Sequence, residues 1–281
     1  MRPDCHMHTP LCGHAEGKPR EYVRAAKQAG LTLITFTCHI PMDDYPEFGT
    51  RGTRMAESDL PRYYDMVQDA AAYGAETGVE VLFGIEAEVF PDETIMKRMD
   101  HTLETWNFDF VLGSLHHQMR SYRNRLPKEG LALESAIIQD YFAILTDAVS
   151  SGRYDSIAHL DLIRIYGTVE PFEPKDYERE IRAFFESAAK HDVCLEVNTS
   201  GKIKGVYEMH PDPQTMHWAR EIGNRFTLGS DSHKPESVGQ YFDEALANLS
   251  VAGHTEISFF RNRVREDVAI ADVITDGVVH A

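Results

Sequence analysis

The sequence predicts an α/β fold in which parallel strands alternate with helices and close into a barrel. Apolar, β-branched segments of strand length alternate with amphipathic segments, as in a parallel sheet covered on both faces. Residues that suit metal binding recur at the carboxyl end of nearly every predicted strand. Because an open sheet would gather such residues only beside its switch point, we expect a closed β/α barrel.

The predicted strands are short, and most of them end in a polar motif. The first lies at the amino terminus and carries His6 and His8. The others are LTLITFT (31–37), VEVLFGIE (79–86), FDFVLGSLH (108–116), YDSIAHLD (154–161), VCLEVNTSG (193–201) and RFTLGSDSH (225–233). Predicted helices between them include 58–77, 94–105, 134–150, 177–190 and 215–222. We expect these units to form a single domain over residues 1–281.

Two connections are predicted to be long loops, over residues 41–57 and 119–130. Together they carry Arg51, Arg54, Arg120, Arg123 and Arg125. Long loops over a barrel mouth often shape substrate access. A cluster of charges is also typical of a solvated surface, and we expect that simpler role for both loops.

Composition argues against several classes of protein. The 281 residues carry a formal net charge of −17, which disfavours broad nucleic-acid binding. The sequence has no apolar run of membrane-spanning length and no hydrophobic signal region at its start, so we expect a cytoplasmic location. Cys5, Cys12, Cys38 and Cys194 form no CxxC pair, and we expect reduced structural thiols.

Nine residues at or near the predicted strand ends form a candidate polynuclear metal site. They are His6, His8, His14, His39, Glu86, His116, His159, Asp231 and His233. His6 and His8 are two residues apart on a strand end, so their side chains face the same way, and Asp231 and His233 repeat that spacing. Imidazole and carboxylate ligands suit zinc, manganese or iron.

Some neighbouring positions leave alternatives open. Glu88 has the same parity as Glu86 and competes with it for a bridging role, although Glu86 directly ends the apolar run. Of the adjacent His116 and His117 only one can point inward, and we expect His117 to be a surface or supporting residue. Asp161 shares a face with a predicted ligand and is expected to support it or to carry a proton.

Competing reaction schemes find less support. Ser114, Ser200 and Ser230 lie near strand ends, but none is in a GxSxG elbow. The sequence contains neither a GxxxxGK[ST] loop nor a GxGxxG fingerprint. Among the histidines outside the candidate site, His210 is placed where it could enter the barrel mouth, and we expect the others to be solvated or capping residues.

Six motifs along the chain occur together in a known family. They are HMHTPLCGHAEGKPREYVRAAKQAGL, GIEAEVFPD, GSLHH, AHLDLIR, EVNTSG and GSDSH. In order and spacing they resemble the histidinol-phosphate phosphatases of the PHP superfamily, from residue 4 to about residue 262. The resemblance implies a distorted (β/α)7 TIM-like barrel of the PHP type. It also implies three divalent metal ions, which are zinc, manganese or iron in that family.

The resemblance also implies how the nine residues are shared among the ions. It implies a first ion held by His6, His8, Glu86 and Asp231, a second held by Glu86, His116 and His159, and a third held by His14, His39 and His233. This is the same set of residues that the ligand chemistry selected.

Two departures from the family pattern bear on the site. The second motif usually reads Asp-His and here reads Cys38-His39, so a supporting carboxylate is lost near the third ion. The segment after NTSG usually offers an arginine and here reads Lys202-Ile203-Lys204. Either Lys202 or Lys204 replaces that arginine, or the grip on phosphate is weaker, because lysine offers a point charge where arginine offers two hydrogen bonds.

The resemblance implies a metal-dependent phosphomonoesterase that hydrolyses L-histidinol phosphate in histidine biosynthesis, through a metal-bound hydroxide. Arg164 is the expected phosphate-binding side chain and would neutralise charge in the transition state. Asp161, or a group near His233, is expected to protonate the leaving alkoxide. The expected partner is a small phosphorylated metabolite, with no nucleic acid and no membrane.

Three alternatives remain at this point. A PHP-family phosphodiesterase, or a phosphatase for another small phosphorylated metabolite, would keep the metals and change the substrate. A metal-binding accessory module, like the PHP domains attached to polymerases, would keep the metals without catalysis. An amidohydrolase-like barrel would need a carboxylated lysine at a strand end, and no lysine ends a predicted core strand.

Overall fold

Seven parallel strands form one sheet, in sequence order, in a computed structural model of the chain. The structure describes residues 1–42, 49–50, 52–169, 173–204 and 207–278. The strands are β1 (Pro3–Met7), β2 (Leu33–Phe36), β3 (Glu80–Glu88), β4 (Phe110–Ser114), β5 (Ser156–Ile157), β6 (Cys194–Asn198) and β7 (Phe226–Gly229). Each lies within or against a predicted strand region, although β5 keeps only 2 residues.

The sheet closes at the carboxyl ends of its first and last strands. The amide N–H of His8 donates to the carbonyl oxygen of Ser232 at 2.9 Å. The buried carboxylate of Asp4, on β1, accepts the amide N–H of Ser230 and that of Gly239, each at 3.0 Å. These bonds join the two ends of the sheet, and the predicted seven-stranded barrel is confirmed.

Helices pack around the outside of the sheet. They are α1 (Pro19–Gln28), α2 (Leu60–Thr77), α3 (Glu93–Thr105), α4 (Arg120–Lys128), α5 (Glu134–Val149), α6 (Glu178–Lys190), α7 (Pro213–Ile222), α8 (Phe242–Val251) and α9 (Ile270–Val278). In α1, Tyr22, Val23 and Ala26 are buried on one face, as in an amphipathic helix that covers a sheet. Within the described residues, no helix has the length and apolarity needed to cross a bilayer.

The predicted loop at 119–130 is wrong, because most of this segment forms α4. Pro127 lies in the last turn of the helix. Proline has no backbone N–H to donate, and near the helix end the missing hydrogen bond interrupts the helix least. The Arg125 guanidinium lies over the Tyr122 ring, 5.0 Å from its centroid, and also pairs with Asp140 of α5. Part of this arginine-rich segment is therefore packed against the barrel and is not a solvated loop.

An antiparallel hairpin covers the amino-terminal end of the barrel. Its strands are β8 (Glu256–Arg261) and β9 (Val264–Ala269). Phe259 and Phe260 join a small apolar cluster with residues of several strands, and the Phe260 ring lies 5.2 Å from the ring of Phe110, the first residue of β4. The candidate metal residues lie at the other end of the barrel, where the strands terminate.

Candidate metal centre

The nine predicted ligands converge at the carboxyl-terminal mouth of the barrel. Seven of them are buried, whereas His14 is exposed and His233 is half-buried. The backbone at His159 and at Asp231 has a φ of 24° and 51°, in the left-handed region that non-glycine residues rarely adopt. Such strain costs about 1–3 kcal/mol for a residue and persists only where the surrounding structure holds it in place.

His6, His8 and Asp231 form the first group. The Nε2 atoms of the two histidines lie 3.1 Å apart, and Oδ1 of Asp231 lies 3.2 Å from Nε2 of His8. Nδ1 of His6 donates to the carboxylate of Glu196 at 2.7 Å, so Nε2 of His6 carries a lone pair. The ligand atoms of all three residues lie within 4.8 Å of one another, so the group fits a divalent ion.

Glu86 lies at the centre of the remaining imidazoles. Its Oε1 is 3.3 Å from Nε2 of His159 and 3.6 Å from Nε2 of His116. Its Oε2 is 3.6 Å from Nε2 of His8 and 2.5 Å from Nδ1 of His39, although the last two atoms are not hydrogen-bonded. The two carboxylate oxygens thus face different imidazoles, which is the arrangement of a carboxylate that bridges two cations.

His14 and His233 form a separate pair at the rim of the mouth. Their Nε2 atoms are 2.9 Å apart. Nδ1 of His14 donates to the carbonyl oxygen of Cys12, and Nδ1 of His233 donates to that of Asp231, each at 2.9 Å. Both Nε2 atoms therefore carry lone pairs that face each other, and this arrangement again fits a cation between them.

His39 has neighbours in two of the candidate ligand groups. Its liganding nitrogen lies within 4.8 Å of the ligand atoms of Glu86 and His116 in one group, and of those of His233 and a further histidine in another. In the described part of the chain, no such group joins His39 to His14. His39 therefore lies between the candidate ion positions, close to His233 of the rim pair and to Glu86.

Several buried polar atoms of these residues have no hydrogen-bond partner in the described part of the chain. They are Nδ1 of His8, of His39 and of His159, and Oε2 of Glu86. Buried polar atoms are nearly always paired, and two of these, Oε2 of Glu86 and Nδ1 of His39, face each other at 2.5 Å without a hydrogen bond, which indicates a place for an ion or ligand. The donor set of imidazole and carboxylate fits zinc, manganese or iron.

Both carboxylates of the cluster are ionised. Burial alone would raise the pKa of Glu86, but His39, His6 and other imidazoles outweigh it and hold this pKa well below its usual range. Burial would likewise raise the pKa of Asp231, but the charges of Lys204 and His6 outweigh burial and hold this pKa well below its usual range. Lys204 donates to Oδ2 of Asp231 at 2.8 Å. The cluster therefore offers two negative charges to a cation.

Glu196 holds two of the candidate ligands from behind. Beside its bond to His6, it accepts the backbone N–H of His159 at 2.9 Å and the Nδ2–H of Asn198 at 3.0 Å. Gly229 provides the space, because a Cβ at that position would collide with Glu196 and His6. Glu196 was not among the predicted site residues. The sequence signal for it is a glutamate within the apolar strand CLEVN, because a carboxylate buried in a strand needs hydrogen-bond partners.

Glu88 lies behind His116, further from the other imidazoles than Glu86. Its Oε2 is 2.8 Å from Nδ1 of His116, and its Oε1 accepts from Nε and Nη2 of Arg54 at 3.0 and 2.6 Å. Arg54 is buried, so the expectation that the charges of its loop are solvated is wrong for this arginine. Arg51, from the same predicted loop, lies outside the described residues. The pair of Arg54 and Glu88 orients His116 towards the cluster.

His117 is buried and not at the surface. Its Nε2 donates to the carbonyl oxygen of Leu162 at 2.9 Å, and its Nδ1 lies 2.5 Å from Oγ1 of Thr168. Burial lowers the pKa of His117 to about 3, so the ring is neutral at physiological pH. His117 therefore ties the end of β4 to the segment after β5 and supports the mouth.

The structure does not support Asp161 or His233 as a proton donor. The Asp161 carboxylate accepts from Nη1 of Arg164 at 2.9 Å, from His210 at 2.5 Å and from the N–H of Asp212 at 2.8 Å. Burial would raise its pKa, but Arg164 and His210 outweigh it, and this pKa lies well below its usual range. Burial lowers the pKa of His233 to about 3. Near neutral pH the Asp161 carboxylate is therefore ionised, and the neutral His233 ring donates its one proton, on Nδ1, to the carbonyl oxygen of Asp231.

The predicted phosphate-binding side chains differ in where they lie. Arg164 is paired with Glu208 and other acids and is not among the described residues that line the mouth cavity. Lys202 donates to Glu244 at 2.9 Å and is also absent from the lining. Lys204 does line the cavity. The expectation is therefore corrected for Arg164 and Lys202, because both cations are engaged by acids away from the cavity.

A cavity of about 900 Å³ opens above the nine residues. Its wall includes the cationic side chains of Arg54, Arg120, Arg123, Lys204 and Lys234. The chain as a whole has a formal net charge of −17, so this concentration of positive charge is local. Such a cavity fits a small anionic ligand, whose charge the basic wall would attract.

Comparisons with known proteins identify a family. The PHP domain family model matches residues 4–200. The curated "Probable histidinol-phosphatase" of Deinococcus radiodurans is 34% identical over 266 residues, which are 93% of this chain and 98% of that protein. A "Probable phosphatase" of Photobacterium profundum is 30% identical over 242 residues, 85% of this chain and 80% of that protein.

A solved structure shares the fold. It is the histidinol phosphate phosphatase of Lactococcus lactis, crystallised with zinc, L-histidinol and phosphate. The TM-score is 0.75 at 21% sequence identity, and the match covers 94% of this chain and 98% of that one.

Proposed function

This chain belongs to the PHP domain family, and from that premise we propose that it is a metal-dependent phosphomonoesterase that hydrolyses L-histidinol phosphate to L-histidinol and phosphate. The observation that carries the proposal is the convergence of imidazole and carboxylate ligand atoms beneath a basic cavity. The histidinol-phosphatase name of the Deinococcus relative supports the substrate. We place the reaction in histidine biosynthesis on the same ground.

We assign the ligands of three divalent ions as the family resemblance implies. The first ion would be held by His6, His8, Glu86 and Asp231, the second by Glu86, His116 and His159, and the third by His14, His39 and His233. When bound, such ions act as Lewis acids on a phosphoryl oxygen and lower the pKa of water, which supplies a nucleophile near neutral pH. Zinc, manganese and iron all match the donor set.

Lys204 is the chain's own best candidate to hold the phosphate. Its Nζ lies 2.8 Å from Asp231, and the side chain lines the cavity. Burial lowers the pKa of Lys204, but Asp231 and other groups outweigh it and the net pKa is raised, so the side chain stays charged. A charged ammonium at this position would bond a phosphate oxygen and stabilise the charge that develops during hydrolysis.

Arg120 and Arg123 act at a longer range. Both line the same cavity and lie in the first turn of α4. Their charges attract a phosphate monoester and retain it at the mouth without contact with the ions. The predicted loop over the mouth therefore keeps a role in substrate access, although it is largely helical.

Arg164 positions other residues. It joins Asp161 and Glu208, and Asp161 in turn holds the ring of His210. These contacts tie the segment after β5 to the segment that follows β6. We infer that this network fixes the mouth near His159 and that Arg164 does not touch the phosphate.

The test is phosphate release from L-histidinol phosphate by protein loaded separately with zinc, manganese or iron. A phosphodiester and several generic phosphomonoesters serve as comparison substrates. We expect kcat/KM for L-histidinol phosphate to exceed the others by at least about 100-fold, which corresponds to about 2.7 kcal/mol of transition-state discrimination. A chelator should abolish the activity, and addition of metal should restore it.

A second candidate is a phosphatase or phosphodiesterase for another small phosphorylated metabolite. The Photobacterium relative, which is named only as a phosphatase, motivates it, and so does the lysine pair in place of an arginine. Equal or faster hydrolysis of another ester in the same panel would select this alternative. Absence of all phosphoesterase activity in metal-loaded protein would leave only a metal-binding module.

The single domain over residues 1–281 and the cytoplasmic location stay predictions. The strands from residue 3 to residue 229 share one sheet, which is what a single domain requires.

A further inference from the structure

We propose that Glu16 binds the ammonium group of the substrate and makes the site specific for phosphate esters of amino alcohols, an inference that rests on the function proposed above and deepens it. L-Histidinol phosphate carries its amino group on the carbon next to the one that bears the ester oxygen. Near neutral pH this amino group is mostly protonated, so the substrate presents a cation beside its phosphate. A specific site would therefore place a carboxylate close to the phosphate position.

Glu16 is the one carboxylate in the described wall of the mouth cavity that is outside the candidate ligand set. The other two acids of that wall, Glu86 and Asp231, already face the imidazoles of the cluster. The side chain of Glu16 is exposed, and no described residue pairs with its carboxylate. This carboxylate is therefore free to accept hydrogen bonds from a bound ligand.

The backbone of Glu16 is fixed at the rim of the mouth. Its N–H donates to the carbonyl oxygen of His233 at 2.7 Å, and its carbonyl oxygen accepts from the hydroxyl of Tyr22 on α1 at 2.8 Å. Gly17 follows with a φ of 80°, and a Cβ at this glycine would collide with Pro235. These contacts join the loop after β1 to the segment after β7, so the Glu16 side chain starts from a defined position.

Glu16 and Lys204 are tied to neighbouring positions of one short segment. Lys204 donates to Asp231 at 2.8 Å, and the N–H of Glu16 bonds to His233, two residues further along the chain. A phosphate ester held at Lys204 therefore has its adjacent carbon atoms near the rim. There, Glu16 is the acid of the described wall that remains available to the ammonium group.

The other charges of the cavity wall favour the same placement. Arg120, Arg123 and Lys234 line the cavity, and their positive charges attract the phosphate but repel an ammonium group. In the described wall, the opposite charge that this group can meet outside the ligand set is that of Glu16. Such complementary charges select the orientation and the identity of a ligand more than they raise its affinity.

Glu236 provides a matched control for Glu16. It lies three residues after His233 and is exposed, as Glu16 is, but it is not among the described residues that line the cavity. Removal of its charge changes the net charge of the rim by the same amount without removing a contact to the substrate. A difference between the two variants therefore reports on contact with the substrate and not on the overall field.

The experiment measures steady-state kinetics of the metal-loaded wild type, Glu16→Gln and Glu236→Gln with three phosphate esters. L-Histidinol phosphate has both an amino group and an imidazole ring, imidazolylpropyl phosphate lacks the amino group, and L-alaninol phosphate lacks the ring. Calorimetry of L-histidinol and of imidazolylpropanol binding to the same metal-loaded proteins gives a second readout that needs no turnover.

For L-histidinol phosphate and L-alaninol phosphate, kcat/KM should fall by about 10-fold in Glu16→Gln, mainly through a higher KM. This is the lower end of the range for a charge-assisted hydrogen bond, because Glu16 is exposed in the free protein and water screens its charge. Wild type and Glu16→Gln should hydrolyse imidazolylpropyl phosphate equally well. Glu236→Gln should match the wild type on all three esters.

An equal loss of activity towards imidazolylpropyl phosphate would overturn the proposal, because Glu16 would then act on the ring or on the metal centre. Unchanged kinetics with L-histidinol phosphate, or the same loss in Glu236→Gln, would overturn it too. In each case, hydrolysis by the wild type leaves the proposed phosphatase function standing. If the wild type hydrolyses no ester, the proposed function fails. Weaker binding of L-histidinol alone to Glu16→Gln would then still support the role of Glu16, and unchanged binding would refute it.

Discussion

The Oε1 atom of Glu196 lies 2.7 Å from Nδ1 of His6 and fixes which nitrogen of that ring faces the candidate metal centre. Burial would raise the pKa of Glu196, but His6 outweighs it and the net pKa is lowered, so the carboxylate is charged. A charged acceptor behind an imidazole orients the ring and makes its other nitrogen a stronger ligand.

Glu196→Gln should therefore weaken metal binding at the first ion by about 10- to 100-fold. The amide keeps the shape of the side chain but turns one acceptor into a donor that faces either His6 or the N–H of His159. Competition with a chromophoric chelator measures the affinity. Glu80→Gln, at the opposite end of the same barrel, is the control and should bind metal like the wild type. Unchanged affinity in Glu196→Gln would refute the role given to this residue.

Lys204→Gln and Lys202→Gln form a matched pair of variants in one short segment. Lys204 lines the cavity beside Asp231, whereas Lys202 pairs with Glu244 outside it. Loss of a charge-assisted bond to phosphate removes about 1.5–3 kcal/mol, so kcat/KM should fall by about 10- to 100-fold in Lys204→Gln. Lys202→Gln should stay near the wild type. The reverse order in steady-state kinetics would return phosphate binding to Lys202.

Arg164→Gln should affect stability more than substrate binding. The change leaves the buried Asp161 with His210 and the N–H of Asp212 but without its guanidinium partner. We expect a loss of about 3–5 kcal/mol in the free energy of unfolding, because a buried carboxylate loses its cation. Denaturant unfolding measures this loss, and KM for the phosphate ester should change by less than in Lys204→Gln. A large rise in KM at unchanged stability would instead indicate a phosphate clamp.

His254 makes stability depend on pH at a position remote from the mouth. Burial lowers its pKa, and its Nε2 donates to the carbonyl oxygen of Met216 at 3.0 Å. Below about pH 6.5 the unfolded chain takes up a proton at this histidine while the native protein does not, so stability falls as pH falls. Between pH 6.5 and the lower native pKa, this histidine changes the free energy of unfolding by up to about 1.4 kcal/mol per pH unit. His254→Gln should remove that contribution.

The control for this effect is His217→Gln, because His217 is exposed on α7 and keeps its contact with solvent on unfolding. Urea unfolding at a series of pH values measures each slope. Equal slopes in the wild type and His254→Gln would show that His254 does not contribute.

The barrel was predictable because its strands and helices have regular patterns. Residues such as Glu86 and Asp231 end apolar strands, and parallel strands bring their carboxyl ends together at one mouth. The helix α4 was missed because Pro127 and the charges of its segment are typical of a loop. The hairpin of β8 and β9 was missed because its exposed strand β9 has no apolar alternation.

Pairings between distant segments were not predictable from residue patterns. Arg54 looked like one charge of a solvated loop, and only the folded chain brings it to Glu88. The motif that contains Arg164 suggested phosphate binding, but in the fold the Arg164 guanidinium pairs with Asp161. In each case the partner lies on another element or across a turn, and composition does not determine which acid meets which base.

The seam between β1 and β7 has a consequence for how the chain is made. Asp4 and Ser230, which meet in that seam, are 226 residues apart in sequence. Contacts of such high separation form late, because a long loop must close before they stabilise the fold. A nascent chain holds His6 and His8 from the beginning but acquires Asp231 and His233 only near its end. The complete ligand set can therefore assemble only after β7, the last strand of the barrel, has been synthesised together with the residues that follow it and has docked against β1.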